Sequence, residues 1–342
     1  MASLLTSAFG LFLRAPGWLL VRLSGRPRDR RGHRELLPAF QFMCSVLARV
    51  LPPIETLSAP EMRKQQDDSP LDFDPLPRDA GPTQDHAVPV DGGEILVREY
   101  TPGGASGVLP ALVYFHGGGW VLGNVEGHNT LCARLAAGSG CRVFSVDYRL
   151  APEYPFPVPL QDCEAAFDWV CSNAEPLNVD PSRIAAGGDS AGGNLTAALC
   201  ISRMGSGKPL PCLQLLVYPC TDFAFATKSF DECGDGFFLT RGMMEWFRGH
   251  SLPDPADWTN PLASPMQAED LSGHPPAILV TAGFDPLCDE GEAYGDRLES
   301  AGLAVARRTY DPLIHGFANM GLIPEARAAT EEIANLLSEK IR

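Results

Sequence analysis

Eight residues, GGDSAGGN, run from Gly187 to Asn194, between a strand-like run at Arg183-Ile184-Ala185-Ala186 and a helix-like one from Leu195 to Leu199. Small residues on both sides of a single serine fit a turn too tight for larger side chains, and such a turn pushes its central residue out of the fold. Ser190 is therefore expected to be displayed for chemistry, provided the rest of the chain supplies its partners.

From about residue 90 onward, strand-like and helix-like segments alternate. Apolar runs stand at Ile95–Val97, Ala111–Phe115, Val143–Val146, Leu213–Val217 and Ala277–Val280, most of them bounded by Pro or Gly. Between them lie segments with helical spacing, such as Leu160 to Cys171, apolar at 163, 166, 167 and 170. Strands that are apolar on both faces and separated by helices imply a mostly parallel sheet covered on both sides. With 342 residues, 45% apolar and 20% charged, the chain can bury the core that such a domain needs. Residues 35–65 read as helical, 66–90 as an extended connector, and 222–257 as an irregular stretch with Phe, Trp and Met residues. The first and last of these are expected to meet as a cap over the strand ends.

A serine hydroxyl is a poor nucleophile until a base takes its proton, and the base needs an acid to orient it. Of seven histidines, His315 has the right setting: it follows the strand-like run Arg307 to Tyr310 and sits in a short loop before the last helix. Asp285 follows the run Ile278 to Ala282 and gives the chain order Ser, Asp, His. Asp289 and Glu290, a few residues on, read as first-turn partners of a helix dipole. The stretch YFHGGGW, Tyr114 to Trp120, leaves a strand with three glycines whose N–H groups can approach a developing oxyanion. Gly117, Gly118 and Ala191 are the expected donors, with His116 as a brace. A lone G-x-S-x-G pentad recurs by chance; the strand before it, the helix after it, and the upstream and downstream partners are independent conditions, and together they are specific.

The formal net charge of −15 excludes the basic surface that nucleic acid requires. Ten scattered cysteines form no C-x-x-C pair or metal-like Cys/His spacing, which fits free thiols in a reducing, cytoplasmic setting with no metal. The first 25 residues are rich in Leu, Phe and Trp, but Arg14 and Pro16 interrupt them before they could span a bilayer. Basic residues follow this run, from Arg22 to Arg34, the reverse of a secretory signal. Residues 1–34 are expected to dock against the body as an extra element or to lie on an anionic membrane.

With HGGGW (116–120), DYRLAPEYPFP (147–157), GDSAGG (188–193), DPLCDEGEAY (285–294) and HGF (315–317), the chain resembles the hormone-sensitive-lipase-like branch of the α/β-hydrolases, the bacterial carboxylesterase type. The resemblance runs from about residue 36 to the end. It implies an α/β-hydrolase fold: a mostly parallel eight-stranded sheet with helices on both faces and a helical cap. Residues 1–85 would form the extension and a cap segment, and 86–342 the catalytic domain, with 222–257 contributing to the cap. It also implies no cofactor and hydrolysis of short- to medium-chain carboxylic esters through an acyl-enzyme. Ser190 becomes the nucleophile, His315 the base, Asp285 its orienter, and Gly117, Gly118 and Ala191 the oxyanion hole, while Trp120 and Leu313 are candidate substrate contacts. The same triad would serve an amidase or deacetylase, and some chains of similar fold are non-catalytic receptors for a small ligand; this chain keeps His315, which such a receptor can lose. Monomer and homodimer both stay open. Two departures stand out: Cys288 occupies a position where similar chains often carry arginine, and the first 34 residues have no counterpart.

Overall fold

The computed structural model describes residues 9–67 and 75–341; parts of the expected extension and connector, residues 1–8 and 68–74, lie outside the described residues, as does residue 342. Two short strands, β1 (Arg30–Arg31) and β2 (Arg34–Glu35), pair as a hairpin. Eight more form one sheet: β3 (Thr83–Val90), β4 (Gly93–Tyr100), β5 (Leu109–Phe115), β6 (Arg142–Asp147), β7 (Val179–Asp189), β8 (Gln214–Val217), β9 (Ala277–Phe284) and β10 (Val305–Ile314). Their order is β10-β9-β8-β7-β5-β6-β4-β3. Every pairing from β10 through to β6 is parallel; β4 runs antiparallel to β6, and β3 antiparallel to β4.

The central strands are apolar on both faces because both faces are covered. On β5, Ala111, Val113 and Phe115 join one buried cluster, while Leu112 and Tyr114 point the other way into a second. The first cluster takes in residues of α5 (Val158–Ser172) and α6 (Ala191–Arg203), and the second takes in α4 (Asn129–Ser139) and α10 (Pro324–Lys340). Helices α4 and α10 approach closely at Gly138, where an added Cβ would stand 2.7 Å from that of Ala334. Helix α9 (Cys288–Ser300) returns the chain from β9 to β10.

One expected connector is not a connector throughout. Residues 83–90 form the edge strand β3, which is solvated along most of its length and carries Pro89, so it lacks the apolar alternation that marks a strand in the sequence. The stretch 222–257 is also more regular than its composition suggests. It holds α7 (Lys228–Cys233) and α8 (Arg241–Ser251), each opened by a threonine: Thr227 Oγ1 accepts from the Phe230 N–H and Thr240 Oγ1 from the Met243 N–H. These helices meet the N-terminal segment, which contains α1 (Gly17–Ser24), α2 (Pro38–Val50), a 3₁₀ turn (Ile54–Thr56) and α3 (Ala59–Asp67). The Trp246 indole N–H donates to the Leu57 carbonyl at 3.2 Å, fastening α8 to that segment.

Candidate active site

Strand β7 ends in the serine turn. Ser190 sits at φ 56°, ψ −116°, a left-handed conformation that a non-glycine residue adopts only when its surroundings impose it. They do so through the flanking glycines: a Cβ on Gly188 would fall 2.4 Å from the Phe115 carbonyl oxygen, and one on Gly192 only 1.8 Å from it. The Ser190 N–H donates to the Val217 carbonyl at 2.9 Å, and α6 begins at Ala191. The side chain is left partly exposed above the end of the sheet.

Asp285 and His315 follow two parallel strands whose pairing shifts register between Tyr310 and Ile314. Ile314 at the end of β10 lies opposite Phe284 at the end of β9, so the next residue of each strand emerges beside the other. His315 Nδ1 lies 2.7 Å from Asp285 Oδ2, and His315 Nε2 lies 2.8 Å from Ser190 Oγ. A carboxylate can only accept, so the imidazole proton belongs on Nδ1 and Nε2 is left to accept from the serine hydroxyl. Asp285 is fully buried, and its second oxygen accepts from the Leu287 N–H at 2.8 Å. The Tyr218 ring lies 4.7 Å from the imidazole, so one flank of the base is apolar.

The glycine-rich loop requires a correction. The Gly117 N–H donates to Asp189 Oδ1 at 2.9 Å, in a fully buried bond, and so is not available as an oxyanion donor. Among the described residues, no hydrogen bond uses the N–H of Gly118, Gly119 or Ala191. Gly118 (φ 119°) and Gly119 (φ 62°) both need the freedom of glycine, and a Cβ on Gly119 would fall 2.2 Å from the Phe247 ring of α8. Gly119 and Asp189 are thus site residues that the sequence reading missed. A signal was present for Asp189, a charged residue inside a glycine-rich turn. Its carboxylate also accepts from the hydroxyls of Tyr114 (2.8 Å) and Tyr218 (3.4 Å), with His128 Nε2 at 3.4 Å. Burial alone would raise the Asp189 carboxyl, but His128, Tyr114 and His116 together hold it below the usual carboxylate range. His116 braces the loop from beneath: it is fully buried, stacks on Tyr148 at 4.2 Å, and has Nδ1 2.7 Å from the Gly117 carbonyl. Burial, with His128 nearby, pushes it down to about 3, so it stays neutral.

The two candidate substrate contacts part company. Trp120, its ring 5.1 Å from that of Phe223, lines a small apolar cavity with Phe156, Leu160, Leu195 and Leu252. Leu313 is corrected: it is 2% exposed and belongs to the core cluster that includes Leu36, Phe40 and Phe317, where the N-terminal segment is tied to β10 by the bond from the Leu37 N–H to the Pro312 carbonyl. Glu290 stands in the first turn of α9 as expected, but it is buried, and its Oε1 accepts from the N–H groups of Thr221 (2.6 Å) and Asp222 (3.3 Å). Burial pushes its carboxyl from 4.5 up to about 8, against the pull of those two donors. Asp289, by contrast, accepts from Arg31 and from the Ser229 N–H.

Comparison with known proteins gives a consistent picture. A family model described as the alpha/beta hydrolase fold matches residues 112–319. The carboxylic ester hydrolase LipN of Mycobacterium tuberculosis is 44% identical over 260 residues, 74% of this chain and 69% of that one. An ethyl acetate hydrolase of Pseudomonas putida is 38% identical over 69% of this chain and 75% of its own. An ester hydrolase from the metagenome of Lake Arreo, solved with a bipyridine phosphonate derivative, superposes with a TM-score of 0.85 at 39% identity, covering 89% of this chain and 98% of that one.

Two outcomes follow from these placements. Leu313→Ala is expected to cost about 2–5 kcal/mol of stability with KM unchanged; urea unfolding measured beside ester kinetics tests this, and a raised KM without loss of stability would return Leu313 to the pocket. For Glu290, a carboxyl raised in the folded state stabilises the fold fully below 4.5, and that contribution is lost as pH rises through about 8. Glu290→Gln should therefore flatten the fall in unfolding temperature across that window. An identical slope in both proteins would locate the pH dependence elsewhere.

Proposed function

The chain belongs to the alpha/beta hydrolase fold family, in its hormone-sensitive-lipase-like branch, and from that premise we propose that Ser190, His315 and Asp285 carry out its hydrolysis of carboxylic esters. The observation that carries this reading is the unbroken relay of two short hydrogen bonds, 2.8 Å from serine to imidazole and 2.7 Å from imidazole to carboxylate, ending at a strained, exposed serine. Ser190 Oγ attacks the ester carbonyl while His315 Nε2 takes its proton. The negative charge that develops on the carbonyl oxygen is met by the N–H groups of Gly118, Gly119 and Ala191. His315 then returns the proton to the leaving alkoxide, and water repeats the sequence on the acyl-enzyme. Asp285 holds the ring in the tautomer that accepts from serine and stabilises the imidazolium.

Segments 35–67 and 228–251 act as the cap in this reading. Phe247 lies against Gly119, and Phe238 against Gly316, the residue after His315, so the same segment borders both sides of the serine. Apolar rings at that border favour esters with short to medium acyl chains, with Trp120 contributing to the pocket wall. The ten free thiols support a reducing, cytoplasmic setting. Contact with an anionic membrane is assigned to the extension. Its support is an apolar surface on the first described residues, Leu11 (73% exposed), Trp18 (69%) and Leu23 (43%), with Arg14 and Arg22 exposed among them. Among the described residues no helix is long and apolar enough to cross a membrane, so this contact would be peripheral.

Ser190→Ala is expected to remove at least about 4 kcal/mol of transition-state stabilisation, roughly a thousandfold in kcat/KM. Intact mass after incubation with an organophosphate should show one adduct on the unaltered chain and none on the variant; turnover by the variant would remove Ser190 from its role. For the extension, a chain carrying Trp18→Ser and Leu23→Ser should sediment less with anionic vesicles and hydrolyse a soluble ester normally. Equal sedimentation of both chains would dismiss the membrane contact.

A further inference from the structure

The β1–β2 hairpin places two arginines against the loops that carry the acid and the base. The guanidinium of Arg31 reaches three partners on three elements: Nη1 donates to the Gly283 carbonyl of β9 (3.3 Å), Nη2 to Asp289 of α9 (2.8 Å) and Nε to Glu232 of α7 (2.8 Å). Arg34 reaches two: Nη1 lies 3.3 Å from Cys288 Sγ, and Nε lies 2.7 Å from Asp311 of β10. In sequence, these contacts bracket Asp285 on both sides and end four residues before His315. Both side chains are largely buried, at 11% and 19% exposure, so neither is a loosely held surface charge. The backbone adds one more tie between the hairpin's end and β10, where the Leu37 N–H donates to the Pro312 carbonyl at 3.0 Å.

We infer that Arg31 and Arg34 are positioning residues for the Asp285–His315 pair, and that Arg34, lying on Cys288, supplies from the extension a cation beside the acid loop. The inference rests on the proposed triad. Asp285 itself is held by few contacts, the His315 ring, the Leu287 N–H and a bond from the Cys288 N–H to its carbonyl (3.1 Å). The loop's place therefore depends on what grips it from outside: the hairpin at Gly283, Cys288 and Asp289, and Ser229 of α7 at Pro286 and Asp289. Shifts well under 1 Å between acid and base cost rate without altering the substrate's own contacts.

The test measures Arg34→Ala, Arg34→Ala with Cys288→Arg, Arg30→Ala and Ser190→Ala side by side, with unfolding temperatures recorded for all. Arg30 is on the same hairpin but is exposed and pairs with Glu35, so it controls for general disturbance of the extension. Arg34→Ala should lower kcat about tenfold with KM within about twofold. Arg30→Ala should leave both alone, and Cys288→Arg should restore most of kcat to the Arg34→Ala chain. The downfield proton signal of the His315–Asp285 hydrogen bond should move or broaden in Arg34→Ala, a change that lost stability alone would not cause. Normal kcat and an unmoved signal in a folded Arg34→Ala chain would overturn the inference, whether or not the double variant folds. If Ser190→Ala keeps its turnover, the triad reading fails instead; an inactive Ser190→Ala beside a normal Arg34→Ala rejects only the role of the hairpin.

Discussion

The buried carboxylate of Asp189 joins two segments that must keep a fixed spacing for acyl transfer. It is the last residue of β7, next to the serine, and it accepts from Gly117 at the start of the glycine-rich loop 72 positions earlier in the chain. One side chain thus spans the nucleophile's turn and the loop that faces the oxyanion. A carboxylate in that position would be costly if it were alone, and the structure offsets the cost with two tyrosine hydroxyls, a backbone N–H and two nearby imidazoles. Its remaining effect is selective. It takes the Gly117 N–H, while among the described residues no hydrogen bond uses the next two glycine amides.

The sheet performs the same service for acid and base that Asp189 performs for the serine and its loop. Parallel pairing of β9 with β10, resumed at Phe284 and Ile314 after a register shift, brings Asp285 and His315 out side by side, and the parallel pairing of β7 with β8 puts Ser190 at the same end. The loops need only be short, because the strands have already done the aiming. Rigid strands below and glycine-limited turns above leave little for the site to adjust when substrate arrives.

Much of this is legible in the chain. Apolar runs of three to five residues with helical spacing between them disclose a covered parallel sheet, and the order Ser, Asp, His with a glycine loop upstream discloses the chemistry. What escapes the sequence is decided by distant partners. The three glycines after His116 look alike, and only Asp189 ranks them. Leu313, two residues before the base, looks like a pocket residue until Leu36 and Phe40, far off in the chain, join it in the core. Glu290 reads as an ordinary first-turn acid because nothing nearby shows that Thr221 and Asp222 will enclose it. Strand β3 fails to announce itself because an edge strand open to water needs no apolar face. The arginines before residue 35 read as a basic run that either docks or meets a membrane, and the sequence does not tell which of them are largely buried against α9 and β10.

That last feature changes where the working unit begins. The motifs that carry the family resemblance place its start near residue 36, and a trimmed protein or a hybrid with a relative cut by those motifs would begin there. Such a cut falls one residue after β2, and removes both guanidinium groups while keeping every residue of the triad. Cys288 and Asp289 would then face solvent where they now face arginine, and a graft of this catalytic body onto another protein's start would carry the same gap. The fragment that the motifs delimit and the fragment that keeps both guanidinium groups against the acid loop differ by a six-residue hairpin.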